Sequence, residues 1–215
     1  MARRYDTNDA TDRTTGLREA ASAVRRGELV VLPTDTVYGI GADAFSSEAV
    51  ADLLDAKGRG RNMPTPVLIG SPNTLHGLVT DFSELAWELV DAFWPGALTI
   101  VAKHQPSLQW DLGDTRGTVA VRMPLHPVAI ELLTEVGPMA VSSANLTGHP
   151  APENCDAAQE MLGDSVSVYL DGGPTPANVP SSIVDVTGPV PVLLREGALS
   201  PDELRKVVPD LEVAN

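Results

Sequence analysis

LPTDTVYGIGADA, residues 32–44, is the stretch whose reading decides the fold. It continues an apolar run, Leu29-Val30-Val31-Leu32, that reads as a buried strand of the kind a parallel or mixed sheet contains. Pro33 ends the run. The hydroxyls of Thr34, Thr36 and Tyr38 follow, with Gly39 and Gly41 before the next helical pattern. Small polar groups and backbone freedom at the end of a core strand are what an open α/β sheet presents to a ligand. Residues 33–44 are therefore expected to be a loop lining a site. Gly39-Ile40-Gly41-Ala42-Asp43-Ala44 also fits GxGxxA, but the helix starts only after Ser46, and the region twenty residues on is GRGRN rather than an acidic ribose partner. That spacing excludes a Rossmann dinucleotide turn.

Strands and helices alternate on both sides of this stretch. Leu17, Ala20, Ala21 and Val24 have helical spacing over 15–26, and Ser46 caps a helix running to Lys57. Helices are also expected at 83–93, 127–136 and 155–162. Ser200-Pro201-Asp202-Glu203 is a capping box opening a last helix. Strands are expected at 67–69, 97–102, 118–121, 139–141, 167–170, 182–186 and 192–194. The segment GGPTPANVP, residues 172–180, is too rich in Gly and Pro for regular structure. Two strand pairs lack an intervening helix, so the expected class is α/β with an open, twisted, mixed parallel and antiparallel sheet and helices on both faces. One domain is expected over 15–215, after a flexible tail at 1–14.

Composition narrows the function. The chain has 215 residues, 43% hydrophobic and 20% charged, ordinary for a globular protein. Its formal net charge of −14 argues against general nucleic-acid binding, which draws its affinity from phosphate neutralisation. A local cationic site inside an acidic surface remains compatible with that charge. The single cysteine, Cys155, forms no CxxC pair, and a reducing cytoplasm fits this usage. The start, MARRYDTNDATDRTTG, has no apolar leader core, and no stretch has the length of a membrane span. His76, His104, His126 and His149 are scattered, so no protein-held metal is inferred.

In Lys57-Gly58-Arg59-Gly60-Arg61, cations alternate with glycines. A point charge and a bidentate fork are the two ways side chains hold phosphate oxygens. The same cations also suit a helix C-terminus, and both readings stand from the residues alone. The spacing is not that of a Walker loop. Ser142-Ser143-Ala144-Asn145 follows a strand, without the GxSxG elbow of a nucleophile; alone it reads as a turn. Arg122 and Arg195 end strands, where an arginine either holds a carboxylate or phosphate or faces solvent. Together, strand ends carrying Thr, Ser, Asn, Arg and Gly describe a polar crevice floored by a sheet.

These segments also form an ordered set. PTDTVYGIGADA, Lys57-x-Arg59, FWPGALTIV (93–101), VAVRMP (119–124), SSAN with LTG (142–148), and PSSIVDVT followed by LLREG (180–197) resemble the YrdC-like family of L-threonylcarbamoyladenylate synthases across nearly the whole chain. The resemblance implies a YrdC-like fold in its short, single-domain form. It implies a nucleotidyltransferase that makes threonylcarbamoyl-AMP and pyrophosphate from L-threonine, bicarbonate and ATP. The product then feeds threonylcarbamoyladenosine modification of tRNA.

By the same resemblance Lys57 and Arg59 hold the triphosphate and act catalytically. Thr118, Ser143, Asn145 and Arg195 contact the nucleotide. Thr36 and Arg122 hold threonine, with Ser142 and Ser181 or Ser182 lining its pocket. Mg²⁺ is expected to arrive with ATP. The implied partners are these substrates, proteins of a downstream threonylcarbamoyl transfer and, weakly, tRNA, with no membrane. Two departures stand out. Gly70 stands where the family pattern places a His, which makes Arg61 and Asn62 candidates for that contact, and Asp35 stands where Glu is frequent. A non-catalytic nucleotide- or RNA-binding protein and a carbamoyl-transfer module of the same fold are the alternatives.

Overall fold

The computed structural model describes residues 2–176 and 178–214. Twelve strands form one mixed sheet: β1 (Arg3–Asp6), β2 (Val30–Leu32), β3 (Gly39–Asp43), β4 (Val67–Leu68), β5 (Val79–Thr80), β6 (Leu98–His104), β7 (Thr118–Arg122), β8 (Met139–Ser143), β9 (Val168–Asp171), β10 (Ser182–Asp185), β11 (Val192–Arg195) and β12 (Glu212–Val213). Their order is β1-β9-β2-β3-β8-β4-β7-β6-β10-β11-β12, and β5 pairs with β6 off this path. Seven α-helices flank them: α1 (Ala10–Arg25), α2 (Ser47–Lys57), α3 (Leu75–Leu78), α4 (Glu84–Phe93), α5 (Pro127–Val136), α6 (Cys155–Leu162) and α7 (Pro201–Arg205).

Helices lie on both faces, as the alternation along β2 shows. Val30 and Leu32 pack with Leu17, Ala20 and Val24 of α1 and Leu132 of α5. Val31, between them, packs with Leu53 of α2 and Ala158 and Leu162 of α6. Successive strand residues point to opposite faces, so one short apolar run feeds two cores. A third core puts Leu89 and Val90 of α4 and Leu204 of α7 under Leu98 and Ile100 of β6, Val119 and Val121 of β7, and Val184 of β10.

The quoted stretch is not wholly a loop. Gly39–Asp43 is strand β3, antiparallel to both β2 and β8, with Val31 opposite Ile40 and Gly41 opposite Val141. Its glycines answer to packing across the sheet. A Cβ on Gly39 would stand 2.6 Å from Val141 Cγ1, and one on Gly41 2.7 Å from Met139 Cε. The loop that remains, 33–38, is a tight turn. Thr34 Oγ1 accepts from the amides of Thr36 (3.1 Å) and Val37 (3.2 Å) and donates to Val37 O (2.6 Å).

The first fourteen residues also differ from the flexible tail expected from their polarity. Residues 3–6 are β1, an edge strand parallel to β9, and Asp9 caps α1 by accepting from the amides of Thr11 and Asp12. The strand is missed by periodicity because RRYD is polar; charged residues suit an edge, where they discourage further pairing. Backbone pairing and the Arg4–Asp171 ion pair at 2.6 Å hold it.

Deleting residues 2–6 is expected to lower the thermal midpoint by about 5 °C or more, because the β9 edge loses its partner strand. A thermal melt by circular dichroism checks this, and a loose tail would leave the midpoint unchanged.

Candidate active site

The opposite face of β7, β6 and β10 is turned away from α4 and α7. It floors a cavity of about 330 Å³. Thr99 and Val101 of β6, Ala120 and Arg122 of β7 and Ile183 of β10 form the floor, and alternate with the residues buried under α4 and α7. The walls are the 33–38 turn, the 59–66 loop, the end of β8, and the segments around Ser181 and Arg195. All the wall and floor residues come from strands or loops, none from a helix.

Lys57 and Arg59 reach this region because α2 ends in a Schellman turn. Gly58 takes the left-handed conformation (φ 59°), its amide bonds to Asp55 O at 3.0 Å, and the Arg59 amide bonds to Leu54 O at 2.9 Å. The two flanking cations are thereby sent toward the end of β8. Lys57 is 2% exposed, and its ammonium donates to the carbonyls of Ser143 and Asn145, the latter at 2.6 Å. The Arg59 guanidinium donates to Met63 O (2.8 Å), Pro64 O (3.3 Å) and Ser142 Oγ (3.0 Å). Their polar contacts are thus made outside α2, rather than on its last carbonyls as a capping role would require.

Arg122 is fixed from three sides. Its Nε donates to Gly96 O (2.9 Å), Nη1 to Thr36 Oγ1 (2.8 Å) and Nη2 to Asp35 Oδ1 (2.5 Å). Arg195 grips Ser181 O through Nε (3.1 Å) and Nη2 (2.6 Å), and Ser181 Oγ lies 2.8 Å from Thr99 Oγ1. Among the described residues, Lys57, Arg59 and Arg195 have no carboxylate within 4.0 Å. Burial, and then the nearby Arg59 charge, push the Lys57 ammonium down to about 8. Burial and then Arg195 lower Arg59, and burial lowers Arg195. Lys57 is buried, Arg59 half-buried and Arg195 exposed, and cations that gather in this way without counterions make a site for a polyanion.

Of the residues singled out in the sequence, Thr36, Arg59, Arg122, Ser142, Ser143, Ser181 and Arg195 line the cavity. Lys57 lies behind its wall, bonded to two carbonyls at the end of β8. Asn145 is beside it. Its amide nitrogen donates to Leu146 O and His149 O, and its buried Oδ1 has no partner among the described residues. Thr118 shares the cavity face of β7 but lies beyond the cavity, with its hydroxyl on Thr115 O at 2.8 Å. Ser182 is fully buried outside the lining. Its hydroxyl donates to Leu199 O and accepts from the amides of Gly197 and Leu199, stitching 197–199 to β10 and so steadying its neighbour Ser181.

Arg61 is exposed and forked onto Asp111 (3.0 and 2.7 Å), and Asn62 is exposed. Their segment meets the cavity through Pro64, Pro66 and Leu68, while Gly70 packs on α5, where a Cβ would stand 2.8 Å from the Thr134 amide. Of the hydroxyls in the quoted stretch, Thr34 joins Thr36 in the lining while Tyr38 is buried on Gly173 O, and Thr99 joins without having been singled out as a site residue. A threonine inside the apolar strand LTIV was the available signal for Thr99.

The family model Sua5/YciO/YrdC, described as "Telomere recombination", matches residues 22–197. The chain belongs to this family. A putative threonylcarbamoyl-AMP synthase of Mycobacterium tuberculosis is 57% identical over 208 residues, covering 97% of this chain and 96% of the relative. The threonylcarbamoyl-AMP synthase of Bacillus subtilis is 37% identical over 92% of this chain, and the match spans 58% of that longer protein. Among solved structures, P. abyssi Sua5 complexed with L-threonine superposes with a TM-score of 0.92 at 34% identity, covering 100% of this chain and 62% of that one. E. coli YciO, at 22% identity and a TM-score of 0.82, shares the fold.

Lys57 is charged below about 8 and neutral above it. Affinity for ATP, used as a polyphosphate probe, is accordingly expected to fall as pH rises through that value. Calorimetric titrations between about pH 7 and 9 check this. In Lys57→Met the binding is expected to be weaker and the fall lost.

Proposed function

We propose that this chain is an L-threonylcarbamoyladenylate synthase, a nucleotidyltransferase that supplies tRNA modification in the cytoplasm. The observation that carries the reading is the convergence of uncompensated Arg59 and Arg195 with the braced Arg122–Thr36 pair around one cavity, with Lys57 directly behind the wall that Ser143 forms. Two anions have to meet there. The amine of L-threonine adds to the carbon of bicarbonate with loss of water, giving a carbamate. A carbamate oxygen then attacks the α-phosphorus of ATP, and pyrophosphate leaves.

Arg59 and Lys57 offset charge on the phosphates, and Arg195 extends that cationic wall. Ser143 and Asn145 contact the nucleotide, and the unpartnered Asn145 Oδ1 has acceptor capacity for it. Thr118 joins the nucleotide contacts through its position on the cavity face of β7. Arg122 binds the threonine carboxylate, with Thr36, Ser142 and Ser181 lining the amino-acid end and Ser182 supporting Ser181. The rate advantage comes mostly from holding the reactants in register. Among the described residues no cluster of three or more His, Cys, Asp or Glu could hold a metal. Mg²⁺ enters as part of MgATP, where it offsets phosphate charge.

Pyrophosphate release that requires both threonine and bicarbonate is the expected result of incubating the protein with MgATP. Release independent of threonine, or ATP binding without turnover, would reject the reading. Lys57→Ala and Arg59→Ala are each expected to cut turnover on the order of a hundredfold in that assay, as for one preorganised electrostatic contact removed.

A further inference from the structure

We infer that Asp35 is a specificity-determining residue: by neutralising Arg122 it reserves one end of the cavity for a zwitterionic amino acid and keeps phosphate out. The inference rests on the reading of Arg122 as the holder of the threonine carboxylate.

The four cations of the site are not equivalent. Lys57, Arg59 and Arg195 have no carboxylate partner among the described residues, whereas Arg122 has Asp35 at 2.5 Å. That pair is well shielded, with the Arg122 side chain 7% and the Asp35 side chain 16% exposed. Asp35 is held in turn by the Leu125 amide at 2.9 Å, outside the cavity lining, so it acts on the site through Arg122. It is a positioning and charge-setting group rather than a catalytic one.

Arg122 has five N–H donors, and Gly96 O, Thr36 Oγ1 and Asp35 Oδ1 take one each. One N–H is left on each terminal nitrogen, enough for a two-oxygen anion. The charge that anion meets is close to zero, because Asp35 offsets the guanidinium. An amino acid is itself neutral overall, so seating its carboxylate on an Arg122 already offset by Asp35 leaves no net charge unbalanced. A phosphate dianion gains one cation and is opposed by one carboxylate. Arg122 and Arg195 line the same cavity, so the two ends adjoin. Without Asp35, three guanidiniums would form one continuous polyanion site, and the phosphates of ATP or released pyrophosphate would compete for the threonine end. Discrimination of this kind comes from a repulsive element as much as an attractive one.

The test uses the full-length protein saturated with a non-hydrolysable ATP analogue, without bicarbonate. L-threonine is titrated in by calorimetry with and without inorganic phosphate. The wild type is expected to bind threonine with an affinity insensitive to millimolar phosphate. Asp35→Asn, which keeps the acceptor for Arg122 and Leu125 but removes the charge, is expected to bind phosphate competitively with threonine, at least about tenfold more tightly than the wild type does. Asp35→Glu is expected to restore exclusion, and thermal melts confirm that both variants are folded.

An Asp35→Asn protein that binds threonine and still ignores phosphate would overturn the inference alone. A wild type that binds no threonine would overturn it together with the functional reading. If Asp35→Asn does not fold, phosphate competition in the wild type decides: competition overturns the inference, and its absence, with Asp35→Glu also excluding phosphate, supports it.

Discussion

The contact on which the site depends is a buried ammonium. Lys57 leaves the end of α2 and places its charge on the carbonyls of Ser143 and Asn145, 86 and 88 residues away in the chain. Desolvating a lysine is costly unless its donors are satisfied, and here two backbone oxygens meet that need without neutralising the charge. The result is a fixed positive centre joining a helix terminus to a strand end. Arg59 follows two residues later and adds a second tie to Ser142, so the Schellman turn and the end of β8 behave as one wall.

The acidity of the chain as a whole gives that wall its selectivity. With a formal net charge of −14, most of the surface repels anions. Arg59 and Arg195 line the cavity over β6, β7 and β10 with Lys57 behind its wall, and apolar strand residues of that floor limit screening by water. Burial lowers the proton affinity of each of these groups, so the folded protein carries electrostatic strain that an anionic ligand relieves. Such strain is the expected signature of a binding site, since folding alone would have paired these charges.

Much of this was legible in the sequence, and the errors have physical causes. Strongly periodic elements such as α4 and α5 fall where their apolar spacing places them, because burial of one face dictates both pattern and structure. Strand β3 did not read as a strand because two glycines take the positions that face the core under α1 and α5, a packing demand from Val141 and Met139 that lies about a hundred residues away. Strand β1 was hidden by its charge, since a strand secured by backbone pairing at a sheet edge needs no apolar alternation.

The site divides in the same way. Arg59, Arg122 and Arg195 were visible as cations at element ends, and their motifs placed them together. Ser182 was misleading because a serine that ties two backbone segments has the same letter as its neighbour Ser181, which faces the cavity. Asp35 gave no sign of its partner, because its pairing with Arg122 spans 87 residues and exists only after folding.

The central claim, that these distant residues make one nucleotide and amino-acid cavity, is tested most directly by a crystal structure of the protein with a non-hydrolysable ATP analogue and L-threonine. The account places the triphosphate against Lys57, Arg59 and Arg195 and the amino acid's carboxylate on Arg122, with the amine turned toward the α-phosphorus. A nucleotide bound elsewhere, such as the open hollow beside Glu28, Asp52 and Asp55, with the cavity over β6 and β7 left to solvent, would contradict it.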